Sequence, residues 1–268
     1  MPVSGVTISS SYENANGAYN AYKRSGWDKD FFEANCSLTV MGANDVSGIV
    51  CLMTGSEEGG TLARMYNAAE KSGVPVVFLS EIPPEGNSRF DQINLNDRSG
   101  MEQVVNHLAA LGHTRIGFIG ERLCVGRLNN LISLLKERSP DICDSHVKIG
   151  EMRFEAGGYE QMMLLLEEPD LPTAVIAGYD QMAFGALKAV WEAGLDVPED
   201  FSLVGFDNVA QDEYLPRKLT SVANHVNSMA QIATQLLFNR IDYAGETVTQ
   251  TVFLHPTLMV RETTRPVK

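Results

Sequence analysis

Several short polar clusters follow apolar, β-branched segments of this 268-residue chain, and they are its first candidates for chemistry. They are Ser9-Ser10-Ser11-Tyr12, Ser80-Glu81, Gly178-Tyr179-Asp180 and Asp207-Asn208. Ligands of open α/β sheets bind at the carboxyl ends of the strands. Side chains of Ser, Tyr, Asp and Asn suit a small ligand rich in hydroxyl groups. The alternative is that these residues only cap the helices that follow, which is the stronger interpretation for Asp180.

The spacings that mark known catalytic and metal sites do not occur in the sequence. There is no glycine-rich phosphate loop, no GxSxG and no HExxH, and none of the five histidines is spaced with another His or Cys as metal ligands are. His113 lies where a predicted helix turns into a strand, so we expect it to stabilise that turn. We therefore expect a binding protein and not an enzyme, with no catalytic residue, metal or cofactor. Hydrolysis by two carboxylates that meet only in space is the alternative that one sequence leaves open.

Charge and composition limit the partners of the chain. It carries 21 Lys and Arg against 34 Asp and Glu, a formal net charge of −13, so its summed field repels DNA and anionic lipid. The longest apolar run is far shorter than the roughly 20 residues of a membrane span, and no export signal is visible at the N-terminus. The four cysteines are at least 15 positions apart, which predicts buried free thiols in a reducing, cytoplasmic compartment.

Short β-branched segments alternate with segments of helical periodicity from residue 45 onward, which predicts parallel α/β sheets. The predicted strands lie within Ser47–Met53, Val74–Leu79, Arg115–Ile119, Thr173–Ala177, Ser202–Phe206 and Thr251–Leu254. One helix is predicted to begin at the cap Asp97 and to end at Gly112. Another is predicted to begin at Asp180 and to end at Gly194.

Two further helices are predicted, one opened by Gly157-Gly158 and one over residues 226–243. At the front of the chain, Val3–Ser9 resembles a strand and Glu13–Ser25 a helix, whereas residues 28–44 show no clear pattern. The whole chain has about ten predicted strands, too many for one small sheet, so we expect two doubly wound lobes.

Eight motifs together resemble the effector-binding domain of the lactose-repressor (LacI/GalR) family of transcription regulators. They are Val46–Val50, Gly73–Val77, Leu108–Gly120, Leu171–Val175, Asp180–Ala186, Val197–Asp207, Leu219–Val222 and Val260–Thr264. Their order and spacing match the family over more than 200 residues. No single motif is decisive, but the ordered set is highly specific.

The resemblance implies the periplasmic-binding-protein-like type I fold, in which two Rossmann-like lobes with parallel sheets are joined by three crossovers. The crossovers would fall near Leu95-Asn96, Val222–Asn224 and His255-Pro256. Residues 1–95 with 225–255 would form the N-terminal lobe, and residues 96–224 with 256–268 the C-terminal lobe. The effector would bind between the lobes and favour their closure.

The resemblance also assigns site residues, one position at a time. Arg127 and Asp207 fall on the family's effector-contacting arginine and aspartate, which together would grip neighbouring hydroxyl groups. Tyr179 stands where the family usually has Asn, and we expect it to line the same wall. Further effector contacts are expected at Asp180, Asn224, Ser9, Tyr12 and Leu95.

The chain also departs from the family pattern. Asn224-His225 stands where the family often has Gln-Pro or Gln-Asp, and the loop Glu121–Gly126 is shorter than usual. Residues 28–44 are too few for the family's second strand and second helix in full. The family's helix-turn-helix headpiece is missing in front of the first predicted strand. We expect that it was trimmed from a longer regulator, and the alternative is a natural protein that does not bind DNA.

These observations favour the effector-sensing core of a LacI-type transcription regulator. It would bind a small polar ligand, a sugar or sugar derivative, and would control DNA binding by a headpiece outside this chain. We expect a homodimer, because regulators of this family read two DNA half-sites. The alternative is a periplasmic-type solute-binding protein that serves a transporter.

Overall fold

The computed structural model divides the chain into two compact units. Unit 1 comprises Met1–Leu95 with His225–Leu254, and unit 2 comprises Asn96–Asn224 with His255–Lys268. The structure describes residues 7–8, 38–39, 47–53, 66, 69–70, 73–80, 89–138, 144–243 and 248–267. The helix predicted over Glu13–Ser25 lies outside the described residues, as does most of segment 28–44.

Unit 1 contains a parallel sheet that packs against a long helix. Its described strands are β1 (Thr7–Ile8), β2 (Leu38–Thr39), β3 (Ile49–Met53), β4 (Val76–Ser80), β5 (Asp91–Leu95) and β11 (Thr251–Leu254). Strands β11, β5, β4 and β3 pair in that order and run parallel, whereas β1 and β2 pair antiparallel. The helix over residues 226–242 buries Met229, Ala233 and Leu236 in one cluster with the sheet residues Val77 and Ile93.

Unit 2 is built on a larger sheet. Its described strands are β6 (Ile116–Glu121), β7 (Val147–Gly150), β8 (Ala174–Ala177), β9 (Ser202–Asp207), β10 (Thr220–Ala223) and β12 (Thr257–Met259). They pair in the order β12-β10-β9-β8-β6-β7, and every pair is parallel except β10 with β12. All residues of β6 and β8 are buried, as in parallel strands that are covered on both faces. The predicted α/β class with parallel sheets is confirmed.

Five long helices accompany the strands within the described residues. They are α1 (Asp97–Ala110), α2 (Val125–Arg138), α3 (Phe154–Leu166), α4 (Asp180–Glu192) and α5 (Val226–Asp242). The cap of α1 is Asn96, whose side chain accepts the backbone N–H of Ser99 at 3.1 Å, so the predicted cap Asp97 is instead the first helical residue. Gly112 and Gly194 adopt φ values of +86° and +75° and end α1 and α4 as predicted. Within the described ranges, no helix has the length and hydrophobicity that a bilayer span requires.

Glycines allow α3 and α4 to pack unusually close together. Helix α3 begins at Phe154, so Gly157-Gly158 lie inside it, and the prediction that they open the helix is wrong. A Cβ atom on Gly158 would overlap the backbone carbonyl of Met182 in α4. A Cβ atom on Gly185 of α4 would likewise overlap the carbonyl of Glu155 in α3. The two glycines therefore serve helix packing.

His113 holds the turn between α1 and β6, as predicted. Its side chain is buried, with Nδ1 at 3.0 Å from Thr173 Oγ1 and Nε2 at 3.0 Å from the carbonyl oxygen of Arg265. Burial lowers the pKa of His113, which favours the neutral imidazole that can donate from one nitrogen and accept at the other.

The two cysteines that the structure describes agree with the predicted free thiols. Cys51 and Cys124 are both buried, and neither belongs to a disulfide. Burial raises the pKa of the Cys124 thiol to about 12, so it stays protonated and unreactive. Cys36 and Cys143 lie outside the described residues.

Candidate functional site

The sheet of unit 2 reverses its strand order between β6 and β8. From β6 the chain adds β7 on one side and then β8 on the other. Ligands of open α/β sheets bind outside the carboxyl ends of the strands at such a reversal. We call this region, formed by the carboxyl ends of β6, β8, β9 and β10 and the residues that follow them, the carboxyl edge.

Arg127 lies on the first turn of α2 and is fixed at the carboxyl edge by three oxygen atoms. Its Nε donates to Asp97 Oδ2 at 3.0 Å, Nη1 to the carbonyl of Gly178 at 2.7 Å and Nη2 to Asp207 Oδ1 at 3.1 Å. Its guanidinium carbon lies 4.7 Å from the ring centroid of Phe206. Arg127 is only 8% exposed, so its charge is balanced by protein carboxylates in a poorly solvated position.

Asp207 ends β9 and is the carboxylate that Arg127 orients. Its Oδ1 accepts from Arg127 and also from Asn224 Nδ2 at 2.8 Å. Both bonds use Oδ1, so Oδ2 is available to a ligand as far as the described residues are concerned. Asp207 and Asn208 have φ values of +94° and +50°, a conformation that non-glycine residues rarely adopt. Such outliers concentrate at ligand-binding sites.

The structure brings three of the predicted site residues into one hydrogen-bonded network. Arg127, Asp207 and Asn224 come from α2, the end of β9 and the end of β10, and they meet on Asp207 Oδ1. Asn224 is 5% exposed, and its Oδ1 is buried without a hydrogen-bond partner among the described residues. The network presents carboxylate and amide oxygens that can accept hydrogen bonds from hydroxyl groups.

Tyr179 occupies the position after β8, and its hydroxyl group already has a partner. It caps α4 with an extended backbone and is 8% exposed. Its hydroxyl oxygen accepts the backbone N–H of Phe154 at 2.9 Å, and the two rings meet edge to face. Burial raises the pKa of Tyr179. The hydroxyl hydrogen remains a potential donor, and the predicted contact between Tyr179 and the effector stays a prediction.

Asp180 was also predicted to contact the effector, and that contact stays a prediction. Its side chain is completely buried beneath the carboxyl edge, where Oδ1 accepts the hydroxyl of Ser221 at 2.6 Å and Oδ2 the N–H of Val209 at 2.9 Å. Burial raises the pKa of Asp180 to about 8. Asp180 therefore holds Ser221 on β10 and the backbone of the segment that follows Asp207.

The remaining predicted residues belong to unit 1. The side chain of Leu95 is 4% exposed and lies in the hydrophobic cluster of that unit. Only the backbone N–H and C=O groups of Leu95 could form hydrogen bonds with an effector. Ser9 and Tyr12 lie outside the described residues.

Glu121 and Arg153 are site residues that the sequence analysis missed. Glu121 ends β6 at the reversal point and is 2% exposed. Its Oε2 accepts the N–H of Leu123 at 2.8 Å, and its Oε1 lies 3.5 Å from Arg153 Nε. The available signal was the position of Glu121, an ionisable residue directly after an apolar strand. Its partner is 32 positions away in the sequence, so the pair was not visible there.

The described residues form no cluster of three or more His, Cys, Asp or Glu that could hold a metal ion. The carboxyl edge instead combines carboxylates, one amide and two guanidinium groups, which is chemistry suited to hydrogen bonding.

Comparisons with known proteins agree with this fold. The model of the periplasmic binding protein-like domain family matches residues 105–264. The chain is 32% identical over 198 residues to the HTH-type transcriptional repressor MelR of Bacillus subtilis, a match that covers 69% of this chain and 56% of MelR. The chain thus spans less than two thirds of this relative's length.

Two solved structures share the fold at low sequence identity. A LacI family transcriptional regulator from Enterococcus faecium with bound ribose gives a TM-score of 0.72 at 23% identity, and the match covers 97% of this chain and 98% of that chain. The lac repressor dimer bound to operator gives a TM-score of 0.70 at 21% identity, covering 94% and 77%.

The family match extends over more than half of the chain, so the chain belongs to the periplasmic binding protein-like family. Its curated relatives are named as helix-turn-helix repressors, and its structural neighbours are named as LacI-family regulators. The resemblance drawn from the ordered motifs is thereby confirmed.

Proposed function

We propose that this chain is the effector-sensing part of a LacI-type transcription regulator and that it binds a sugar or sugar derivative at the carboxyl edge. The observation that carries the proposal is the Arg127–Asp207–Asn224 network at the carboxyl edge of the sheet. A carboxylate that is fixed on one oxygen and available on the other is suited to accept a hydroxyl hydrogen. The bound ribose of the Enterococcus faecium regulator supports the choice of a polyhydroxylated ligand.

Specific binding to DNA would require residues outside this chain. The relative named as a helix-turn-helix repressor is longer than the matched region, and the net charge of −13 makes this chain a poor DNA ligand by itself. We infer that the chain acts by binding its effector and not by chemical turnover. The repressor relatives favour this role over that of a solute-binding protein for a transporter.

We also propose that the chain forms a homodimer through the exposed surface of α3 and α4. Large apolar side chains lie on this surface at Met152, Met163, Leu164 and Trp191, each between 37% and 48% exposed. A groove of about 710 Å³ runs between the two helices. Exposed apolar patches of this kind mark protein interfaces, and the lac repressor structure named above is a dimer.

The function is tested by thermal unfolding of the purified chain with ribose, glucose, cellobiose and nucleosides, followed by calorimetric titration of any stabilising compound. A ligand that binds only the folded state raises the melting temperature by mass action. Asp207→Ala is expected to weaken binding by about 1.5–3 kcal/mol, the usual range for a hydrogen bond to a charged group.

The matched control is Asp170→Ala, since the Asp170 side chain is 69% exposed and pairs with Arg115 away from the edge. It should leave binding unchanged. Normal binding by Asp207→Ala would contradict the proposed site, and the absence of any sugar effect would contradict the proposed ligand class.

A further inference from the structure

Glu121 is a buried carboxylate whose hydrogen bonding is incomplete. Its Oε2 accepts the N–H of Leu123 at 2.8 Å, but its buried Oε1 has no hydrogen-bond partner within the described part of the chain. A buried, charged oxygen without a partner is costly. Two arrangements could offset this free-energy cost: an ion pair with Glu121, or a hydrogen bond from a bound ligand to Oε1.

The ion pair with Arg153 does not complete the bonding of Glu121. The distance of 3.5 Å between Arg153 Nε and Glu121 Oε1 exceeds that of an N–H···O hydrogen bond. The Arg153 side chain is 40% exposed, and its guanidinium carbon lies 4.7 Å from the ring centroid of Phe154. Ion pairs with such solvent access contribute little, so Arg153 balances the charge and leaves Oε1 as an acceptor.

Two further buried acceptors at the carboxyl edge also lack partners among the described residues. They are Asp97 Oδ1 and Asn224 Oδ1. Three of the five N–H groups of Arg127 donate to protein oxygens, and one N–H of Asn224 Nδ2 donates to Asp207. The described part of the edge therefore holds three buried acceptors, Asp97 Oδ1, Glu121 Oε1 and Asn224 Oδ1, for which a ligand can supply donors.

We propose that Glu121 determines effector specificity by accepting, through Oε1, a hydrogen bond from a hydroxyl or ammonium group of the effector. The effector is then a polyhydroxylated compound that is uncharged or carries an amine. A phosphorylated or carboxylated compound is rejected, because its anionic oxygens donate no hydrogen bond and would approach the carboxylates of Asp97, Glu121 and Asp207. This inference rests on the proposed function, since it assumes that the effector binds at the carboxyl edge.

The first test needs no ligand. Glu121→Gln keeps an oxygen for the N–H of Leu123 and removes the buried charge, so the melting temperature should stay the same or rise. Glu151→Gln, at an exposed position just before Arg153, is the matched control and should change nothing. If Glu121 serves only a structural ion pair, Glu121→Gln and Arg153→Gln will both lower the melting temperature by several degrees, and that result overturns the inference.

The second test compares matched probes by calorimetry: glucose, glucosamine and glucose 6-phosphate, and ribose with ribose 5-phosphate. The neutral or amino member should bind at least about tenfold more tightly than its phosphorylated form. Glu121→Ala should weaken that binding by about tenfold, whereas Glu151→Gln should not. Tighter binding of a phosphorylated member, or unchanged binding by Glu121→Ala, overturns the inference.

The two proposals fail in different ways. If no probe binds, the sugar class in the proposed function is contradicted, and the melting temperature of Glu121→Gln still decides whether Glu121 is structural. If sugars bind and Asp207→Ala weakens them while Glu121→Ala does not, the proposed function stands and only the role of Glu121 is overturned.

Discussion

Arg127 contributes to folding as well as to the site, because it is a buried cation between two carboxylates. Arg127→Ala would leave Asp97 and Asp207 without their shared partner. Breaking a buried charge pair from one side costs about 3–5 kcal/mol, so urea unfolding should report a loss of that size. Arg98→Ala is the control, because the Arg98 side chain is 44% exposed, and it should cost less than about 1 kcal/mol. Equal stability of the two variants would contradict this account of Arg127.

A second residue-scale prediction concerns Asp180 and Asp212, which lie beneath the site. Burial and, to a smaller extent, the nearby Asp212 carboxylate raise the pKa of Asp180 from 3.8 to about 8. Burial likewise raises the pKa of Asp212 to about 6. Arg261 favours the charged form of Asp212, while Asp207 and Glu213 oppose it.

Between the unfolded and folded pKa values, the folded state holds protons that the unfolded state has lost. Stability should therefore fall as the pH rises from about 4 to about 8. Asp212→Asn removes one of the two charges, so its melting temperature should fall less than that of the wild type between about pH 5 and pH 8. Glu151→Gln, at an exposed position, should retain the wild-type slope. Identical slopes for Asp212→Asn and the wild type would argue against a buried, protonated pair.

At the scale of elements, the packing of α3 on α4 depends on glycine. Gly158→Ala would place a methyl group against the carbonyl of Met182, which is backbone and cannot rotate away. Overpacking of this kind costs about 1–3 kcal/mol, which thermal unfolding would detect. Gly126→Ala in α2 meets no atom within 4 Å and should instead stabilise by up to about 1 kcal/mol through helix propensity. A neutral Gly158→Ala would show that the helices can separate at little cost.

The sequence pattern predicted the positions of the strands better than it predicted the helix caps between them. The segment Val74–Leu79 corresponds to β4, because buried parallel strands need continuous β-branched, apolar residues. The segment Thr251–Leu254 corresponds to β11, whose residues alternate between exposed and half-buried. The caps were harder to place. Asp97 and Asp180 resemble helix caps, yet their carboxylates are engaged by Arg127 and by Ser221, and such tertiary partners have no local signal.

The site could be predicted only in part for the same reason. The family resemblance predicted Arg127 and Asp207 as site residues. The structure adds that their side chains are hydrogen-bonded to each other, although the two residues lie 80 positions apart in the sequence. Glu121 and Arg153 could not be paired, since β6 and the start of α3 meet only in the folded unit. For Asp180, the sequence motif does not reveal whether the carboxylate faces solvent or the core, and the structure places it in the core.

At the scale of the whole molecule, the exposed surface of α3 and α4 predicts the assembly state. Apolar side chains at Met163 and Leu164 would be buried in the proposed dimer, and introducing a charge there would leave it unpaired in the interface. Leu164→Glu should therefore convert a dimer into a monomer in sedimentation experiments at tens of micromolar, with the circular dichroism of the fold unchanged. Tyr243→Glu, on the 70% exposed residue that follows α5, should leave the dimer intact. A wild-type chain that sediments as a monomer, or a Leu164→Glu variant that remains a dimer, would contradict the proposed interface.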